Sequence, residues 1–130
     1  MQYDMKNCKF CSIERKRIVI ESELSIAFYD MYPVNIGHIL VVPKRHVSDY
    51  FELSSIEKND IWNLVDKVKL HLDKEYNPDG FNVGINIGET AGQTIFHCHI
   101  HVIPRYNGDV DFPEGGVRGV IPKKQKYRNE

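Results

Sequence analysis

The chain has no long hydrophobic run and no strong excess of one charge. No stretch approaches about 18 consecutive apolar residues, and the N-terminus "MQYDMKNCKFC" has no hydrophobic signal region, so we expect a cytoplasmic protein. The formal net charge of −1 argues against bulk attraction to nucleic acid or to an anionic membrane. We therefore expect neither as a partner. With 130 residues, and without internal repeats or linkers, residues 1–130 are expected to form a single domain.

Familiar catalytic signatures are also missing. The sequence contains no GxxxxGK[ST] phosphate loop, no GxSxG nucleophile elbow and no obvious carboxylate dyad. The candidate nucleophile is therefore a histidine or a metal-bound water. Cysteine is scarce as well, and the 3 cysteines of a cytosolic protein are interpreted as thiols or metal ligands before disulfides.

The hydrophobic pattern predicts an α+β fold. "IVIESELSIAFYD" is typical of two short strands joined by a turn at Glu21–Glu23, and "GHILVVPKRH" predicts another strand closed by Pro43. Ser54 and Glu57 form a capping box at the start of a helix that "NPDG" ends. The apolar positions of this helix are Ile61, Leu64, Val65, Val68 and Leu72. The alternating segment "FNVGINIG" predicts a further strand, so we expect an antiparallel sheet with one long helix.

The segment "QTIFHCHIHVIPR" places His97, His99 and His101 two residues apart, separated by apolar residues. This alternation predicts a β-strand with the three imidazoles on one face. Neighbouring Cα atoms would then be roughly 6.5–7 Å apart and the outer two about 13 Å apart. One zinc ion, with bonds of about 2 Å, can take an adjacent pair but hardly both outer rings. At least one histidine is therefore available for other chemistry, while Cys98 is expected to be a packed core thiol.

The N-terminal "CKFC" contains Cys8 and Cys11, a spacing that occurs in both redox motifs and zinc sites. Its position ahead of antiparallel strands favours zinc. A closed tetrahedral site needs four ligands, and since there is no second cysteine pair the others should be histidines. His46 and His97 are natural candidates, although spacing alone does not prove this choice.

The loop "GETAGQT" leads directly into the histidine run. Gly88 and Gly92 allow the backbone to approach an anion closely, and Gln93 and Thr94 add side-chain donors. Next to a row of histidines, such a loop suits a phosphoryl group, because one imidazole can attack while the others and the amides stabilise charge.

These motifs together resemble the histidine-triad (HIT) family. "CKFCSI", "AFYDMYPVNIGHILVVPKRH" and "GINIGETAGQTIFHCHIHVIPR" are similar to successive segments of its zinc-containing bacterial and archaeal branch, over roughly residues 8–105. The tail, 106–130, resembles tails of HIT proteins labelled dinucleoside polyphosphate hydrolases. The resemblance implies a HIT fold with about five antiparallel strands and one long helix, usually in a homodimer whose sheets join. It also implies cleavage at the α-phosphate of a nucleotide derivative.

The resemblance assigns roles to individual residues. His99 would be the nucleophile, forming a nucleotidyl-histidine intermediate, with His101 and His38 around the phosphate. The implied nucleotide-binding residues are Asp30 (ribose), Asn86, Gly92, Gln93 and Thr94, together with the apolar base pocket Phe10, Ile13 and Phe28. The implied ligands of a structural Zn²⁺ are Cys8, Cys11, His46 and His97.

Several functions are compatible with these residues. The first is hydrolysis or nucleotidyl transfer on dinucleoside polyphosphates, with an adenine nucleotide as the expected partner. The alternatives are a nucleoside phosphoramidase or acyl-nucleotide hydrolase, a phosphorylase, and a zinc-stabilised nucleotide-binding protein with little catalysis. A thiol redox protein is more distant, and it predicts a titratable disulfide between Cys8 and Cys11.

Overall fold

The fold is an antiparallel sheet of five strands with one long helix on it, as the sequence predicts. It was obtained as a computed structural model, which describes residues 7–127. The strands follow the spatial order β1-β2-β3-β5-β4. The elements are β1 (Ile18–Glu21), β2 (Ser25–Tyr29), β3 (Ile39–Pro43), α1 (Ser55–Tyr76), β4 (Gly80–Ile85) and β5 (Ile100–Arg105). Within residues 7–127, no helix has the length and hydropathy needed to cross a bilayer.

The helix α1 begins and ends where the sequence predicts. The Ser54 hydroxyl accepts a hydrogen bond from the Glu57 amide at 3.1 Å, and the Glu57 carboxylate accepts one from the Ser54 amide at 2.9 Å. The helix ends at Tyr76 because Asn77 takes a left-handed conformation with φ 49°. Its buried residues are the five predicted ones: Ile61, Leu64, Val65, Val68 and Leu72. Burying each of these aliphatic side chains contributes about 1.5–3 kcal/mol.

Different parts of the chain pack against the two faces of the sheet. The alternation of β3 places Ile39 and Val41 under the helix α1. Leu40 and Val42 point to the opposite face, where Phe10 from the N-terminal segment covers them. The helix therefore stabilises one face of the sheet. The part of the opposite face that Phe10 does not cover is available for a functional site.

The prediction that all three histidines of the run lie on one strand is wrong for the first two. The strand β5 begins at Ile100, so His97 and His99 precede it. The register pairs Val41 with Ile100, and its continuation would bring Pro43 opposite Cys98. Proline has no amide hydrogen to donate, so the ladder stops there.

The strand β4 is shorter than "FNVGINIG" predicts, since it ends at Ile85. Asn82 pairs with Ile103, and Gly84 pairs with His101. Paired residues of antiparallel strands point to the same face, so Asn82 shares the face of His101. Asn86 lies one residue beyond the strand.

Candidate active site and metal centre

His99 is held by a backbone carbonyl of its own segment. Its Nδ1–H donates to the carbonyl oxygen of His97 at 2.8 Å. Because a neutral imidazole carries one proton, this bond leaves the Nε2 of His99 as an unprotonated lone pair. The ring is 7% exposed and lies 5.1 Å from both the Phe10 and the His101 rings, centroid to centroid. The arrangement fixes a buried nucleophilic nitrogen beside a second imidazole.

A chain of hydrogen bonds fixes the second imidazole. The Val34 amide donates to Nδ1 of His38 at 3.0 Å, so His38 carries its proton on Nε2. This Nε2–H donates to Nδ1 of His101 at 3.0 Å. His101 therefore keeps its own proton on Nε2, where it can donate to an anion.

All three of these imidazoles are neutral at pH 7. Burial lowers the pKa of His101 to about 4. Burial also lowers the pKa of His99 and of His38, although the Asp30 carboxylate opposes the effect at both. Only a neutral imidazole can act as a nucleophile, because a protonated ring has no lone pair to form a bond.

Two other predicted residues lie next to this chain. The Asp30 carboxylate lies 3.6 Å from Nε2 of His38 and accepts a hydrogen bond from the Tyr32 amide at 2.9 Å. Asn86 lines a cavity together with His101. The ribose role of Asp30 and the nucleotide role of Asn86 remain predictions.

The predicted base-pocket residues come together in one apolar cluster. The rings of Phe10 and Phe28 are 5.4 Å apart in an edge-to-face arrangement, and Ile13 packs against the same cluster. Phe28 is 1% exposed and lies beneath the guanidinium of Arg17. Phe28 therefore packs against Phe10, and Phe10 is the member of the pair that contacts the His99 ring.

The glycine loop is shaped by Gln93, whose amide is fully engaged with backbone. Its Nε2 donates to the carbonyls of Ser48 and Ile95 at 3.0 and 3.1 Å, and its oxygen accepts from the Gly88 amide at 2.9 Å. These bonds hold the loop in place, and a phosphate contact from this side chain stays a prediction. Thr94 is exposed. Gly92 has φ 97°, a conformation that strongly favours glycine.

The four predicted zinc ligands meet at one point. Cys8, Cys11, His46 and His97 offer ligand atoms that all lie within 4.8 Å of one another. The Sγ of Cys11 lies 3.1 Å from Nδ1 of His46, and the Sγ of Cys8 lies 3.4 Å from Nδ1 of His97. Ligands around a tetrahedral zinc with bonds of about 2.0–2.3 Å are separated by roughly 3.3–3.8 Å. The Cys8–His97 distance lies within this range, and the Cys11–His46 distance is slightly shorter.

The protonation states in this cluster also suit a cation. The Nε2–H of His97 donates to the Pro43 carbonyl at 2.8 Å, which leaves its Nδ1 as a lone pair facing the cluster. That Nδ1 lies 3.3 Å from Nδ1 of His46. Burial lowers the pKa of His97 to about 4, so the ring is neutral and ready to ligate. Burial and the Cys8 thiol raise the pKa of Cys11 to about 11, a cost that a bound cation offsets.

Several contributors to the site had no signal in the sequence. The carbonyl oxygens of Pro43 and His97 and the amide of Val34 select the imidazole tautomers. Every residue has such backbone groups, so only the folded structure identifies them. The partner of His101, in contrast, was available from the resemblance, which places His38 near the phosphate.

The fold and the site define a class: an α+β protein with a buried neutral imidazole, whose Nε2 carries a lone pair, beside a compact Cys2His2 cluster. The sequence model of the HIT domain matches residues 13–108. The chain belongs to the HIT family.

Two curated relatives of this chain carry activity names. The AP-4-A phosphorylase of Mycobacterium tuberculosis is 37% identical over 115 residues, covering 86% of this chain and 58% of that protein. The bis(5'-adenosyl)-triphosphatase of Dictyostelium discoideum is 37% identical over 99 residues, covering 76% of this chain and 66% of that protein.

Crystal structures of HIT proteins have the same fold. A HIT family protein from Bacillus anthracis is 43% identical with a TM-score of 0.73, covering 78% of this chain and 75% of that one. A Zn-bound histidine triad family protein from Mycobacterium smegmatis is 27% identical with a TM-score of 0.73, covering 98% of this chain and 85% of that one.

Proposed function

We propose that this protein is a nucleotide hydrolase or nucleotidyl transferase that cleaves at the α-phosphate, with dinucleoside polyphosphates as its substrates. The observation that carries the proposal is the buried His99, whose Nδ1–H is committed to the His97 carbonyl so that Nε2 is left for attack. Relatives named as a phosphorylase and a triphosphatase of adenosine dinucleotides support the substrate class.

In the first step, Nε2 of His99 attacks the α-phosphorus in line with the leaving group. A P–N bond forms, and the P–O bond to the rest of the polyphosphate breaks with its electron pair going to that oxygen. His101 lies beside the attacking ring and donates its Nε2–H to a phosphoryl oxygen, which stabilises the developing negative charge.

In the second step, water attacks the phosphoramidate. A P–O bond forms, the P–N bond breaks, and His99 is restored as AMP leaves. An acceptor other than water, such as inorganic phosphate, would give a phosphorylase by the same chemistry. Binding alone needs no buried free nucleophile, so the intact chain of neutral histidines favours catalysis over a pure binding protein.

Zinc enters the proposal as a structural ion held by Cys8, Cys11, His46 and His97. With four protein ligands it would have no open position for water, so it would supply a cross-link and not a Lewis acid. It would join the N-terminal segment to His97, whose carbonyl orients His99. Thiolate ligands persist in a reducing compartment, and we accordingly place the protein in the cytoplasm.

The nucleotide and oligomer proposals depend on the apolar cluster and on a sheet edge. Phe10 offers the ring surface for a base, adenine by analogy with the relatives, and Asp30 is proposed to bind the ribose.

Among the described strands β4 pairs with β5 alone, so its other edge is available to a second copy. Light scattering tests the homodimer: Val83→Lys on that edge strand should give monomers, and a wild-type monomer would exclude it.

The experiment that tests the function is product analysis. Wild-type protein and His99→Ala would each receive diadenosine polyphosphates and adenosine phosphoramidate, with products separated by chromatography. We expect the wild type to release AMP and the variant to release none. If zinc-loaded wild-type protein leaves both substrates intact, the hydrolase proposal fails and a binding protein or a transferase with another acceptor takes its place.

A further inference from the structure

The feature that the proposed mechanism leaves unused is a cavity of about 540 Å³ beside His101, which we call the tail chamber. Its volume lies within the range of about 300–1,000 Å³ that is typical of small-molecule sites. One wall is the face of β4 and β5 that carries His101, Ile103 and Arg105, with Asn82 and Asn86 beside them. The opposite wall is the C-terminal tail, which contributes Val117, Val120 and Gln125.

The tail wall lies outside the matched family domain. The HIT match ends at residue 108, and the tail residues of the wall lie beyond it. The tail is folded against itself: Gln125 donates to the Glu114 carbonyl at 3.2 Å, and Arg118 donates to the Gln125 carbonyl at 3.3 Å. At Gly115 (φ 87°), an added Cβ would lie 1.8 Å from the Gln125 oxygen, so this close turn needs glycine.

The tail chamber has no charge available for a polyanion. Arg105 is its only Arg or Lys among the described residues, and its guanidinium makes two 2.8 Å bonds to Asp109 and one 2.7 Å bond to Asn82. Apart from the His101 imidazole and the Asp109 carboxylate paired with Arg105, the side chains of the lining are mostly aliphatic groups and amides such as Asn35 and Gln125. A chain of phosphates inside it would lack a counter-charge, whereas an uncharged group with an apolar body and polar edges has partners there.

The tail chamber lies beside His101 and outside the apolar cluster. Members of the apolar cluster around Phe10 and Phe28 are separate from the residues that line it. His99 contacts the cluster through Phe10, while His101 contacts His99 and lines the chamber. If the base lies on Phe10 and the α-phosphate lies between the two histidines, the departing group leaves toward the chamber. From His101 to Arg105, the strand offers about 13 Å along which that group can extend.

We propose that the tail chamber binds an uncharged, partly apolar portion of the leaving group, and that in a dinucleoside polyphosphate this portion is the second nucleoside. The inference rests on the proposed function, because it takes the base and α-phosphate positions from it. An amine or acyl group attached directly to the α-phosphate shares the same chemistry and is the other source that the test separates. Val117 and Val120 are then specificity-determining residues of the tail.

The test fills the chamber and measures binding. In a His99→Ala background, which keeps ligands intact, Val117→Trp would occupy the cavity, while Ile121→Trp is the matched control because Ile121 is an exposed tail residue outside the lining. Calorimetry would give Kd for diadenosine tetraphosphate, adenosine tetraphosphate, an arylalkyl AMP amide and unsubstituted AMP amide. The first two differ in the second nucleoside, whose absence also leaves an extra ionisable oxygen on the terminal phosphate, and the last two differ only in the amine substituent.

We expect Val117→Trp to weaken diadenosine tetraphosphate about tenfold and adenosine tetraphosphate less than about twofold, with little effect of Ile121→Trp on either. A selective loss confined to the arylalkyl amide would keep the chamber but assign it to an amine or acyl group. Equal losses for all four ligands, no loss for any, or no binding at all would overturn the inference. AMP production by the wild type, measured separately, decides whether the proposed function stands in those cases.

Discussion

The two ends of the histidine run use the same residue type with opposite nitrogens. His97 donates its Nε2–H to the Pro43 carbonyl and turns Nδ1 toward two cysteines, whereas His99 donates its Nδ1–H to the His97 carbonyl and leaves Nε2 unprotonated. A backbone carbonyl therefore decides which nitrogen of each ring is available. The comparison teaches that the proposed metal ligand and the proposed nucleophile can be neighbours in sequence because different backbone acceptors orient them.

The largest expected effect separates catalysis from metal binding. His99→Ala should lower kcat/KM for AMP release by at least about 10³-fold, because the covalent route is lost. Its zinc content should equal that of the wild type, since the four ligands are untouched. Kinetics and metal analysis on the same preparation check both statements. Loss of zinc in this variant would mean that metal binding at His97 depends on His99.

The converse substitution removes the metal. Cys11→Ser should lose zinc and about 2 kcal/mol or more of unfolding free energy, because the binding energy of a structural zinc is also folding energy. Metal analysis and urea unfolding measure both effects. Cys98→Ser is the matched control, because Cys98 is buried away from the cluster and its substitution should leave zinc in place. Full zinc retention in Cys11→Ser would contradict the ligand assignment.

A smaller effect should follow from breaking the hydrogen bond that orients His101. His38→Leu removes the Nε2–H donor and should lower kcat about 10–100-fold with little change in KM. His71→Leu is the control, since His71 bonds Tyr29 on the helix side of the sheet and should leave kcat within about twofold. Unchanged kcat in a folded His38→Leu protein would contradict the proposal that the hydrogen bond from His38 selects the His101 tautomer needed for catalysis.

The last prediction concerns stability against pH. His101 is protonated only near pH 4 in the folded state but near pH 6.5 in the unfolded chain. The unfolded state therefore binds more protons between these values, and stability falls as pH falls from 6.5 to 4. One such histidine contributes at most about 1.4 kcal/mol per pH unit. The unfolding free energy, measured with urea at several pH values, should fall less steeply from pH 6.5 to 4 for His101→Gln than for the wild type. Identical slopes would contradict the lowered pKa of His101.

Local rules in the sequence were enough to predict α1 and most of the strands. Ser54 and Glu57 cap the helix as predicted, and the five predicted apolar positions are its buried residues. The five-stranded sheet came from the family resemblance, and its order is set by long-range pairing. The strand start at Ile100 was missed, because it depends on Pro43 of a distant strand lying opposite Cys98.

The site was predictable in its residue types and less so in its details. The cysteine spacing and the alternating histidines signalled two kinds of chemistry. The tautomers could not be predicted, because they depend on backbone groups such as the Val34 amide. The tail chamber was also missed, since Val117 and Gln125 meet the sheet only after folding and follow no motif.

The most direct test of the central claim is to trap the intermediate. Wild-type protein would be mixed with diadenosine tetraphosphate, quenched in alkaline denaturant within the first turnover, and digested for mass spectrometry. The account predicts an adenylyl group on His99. An adenylyl group on another residue, or turnover without any adduct while a control phosphoramidate survives the same quench, would contradict it.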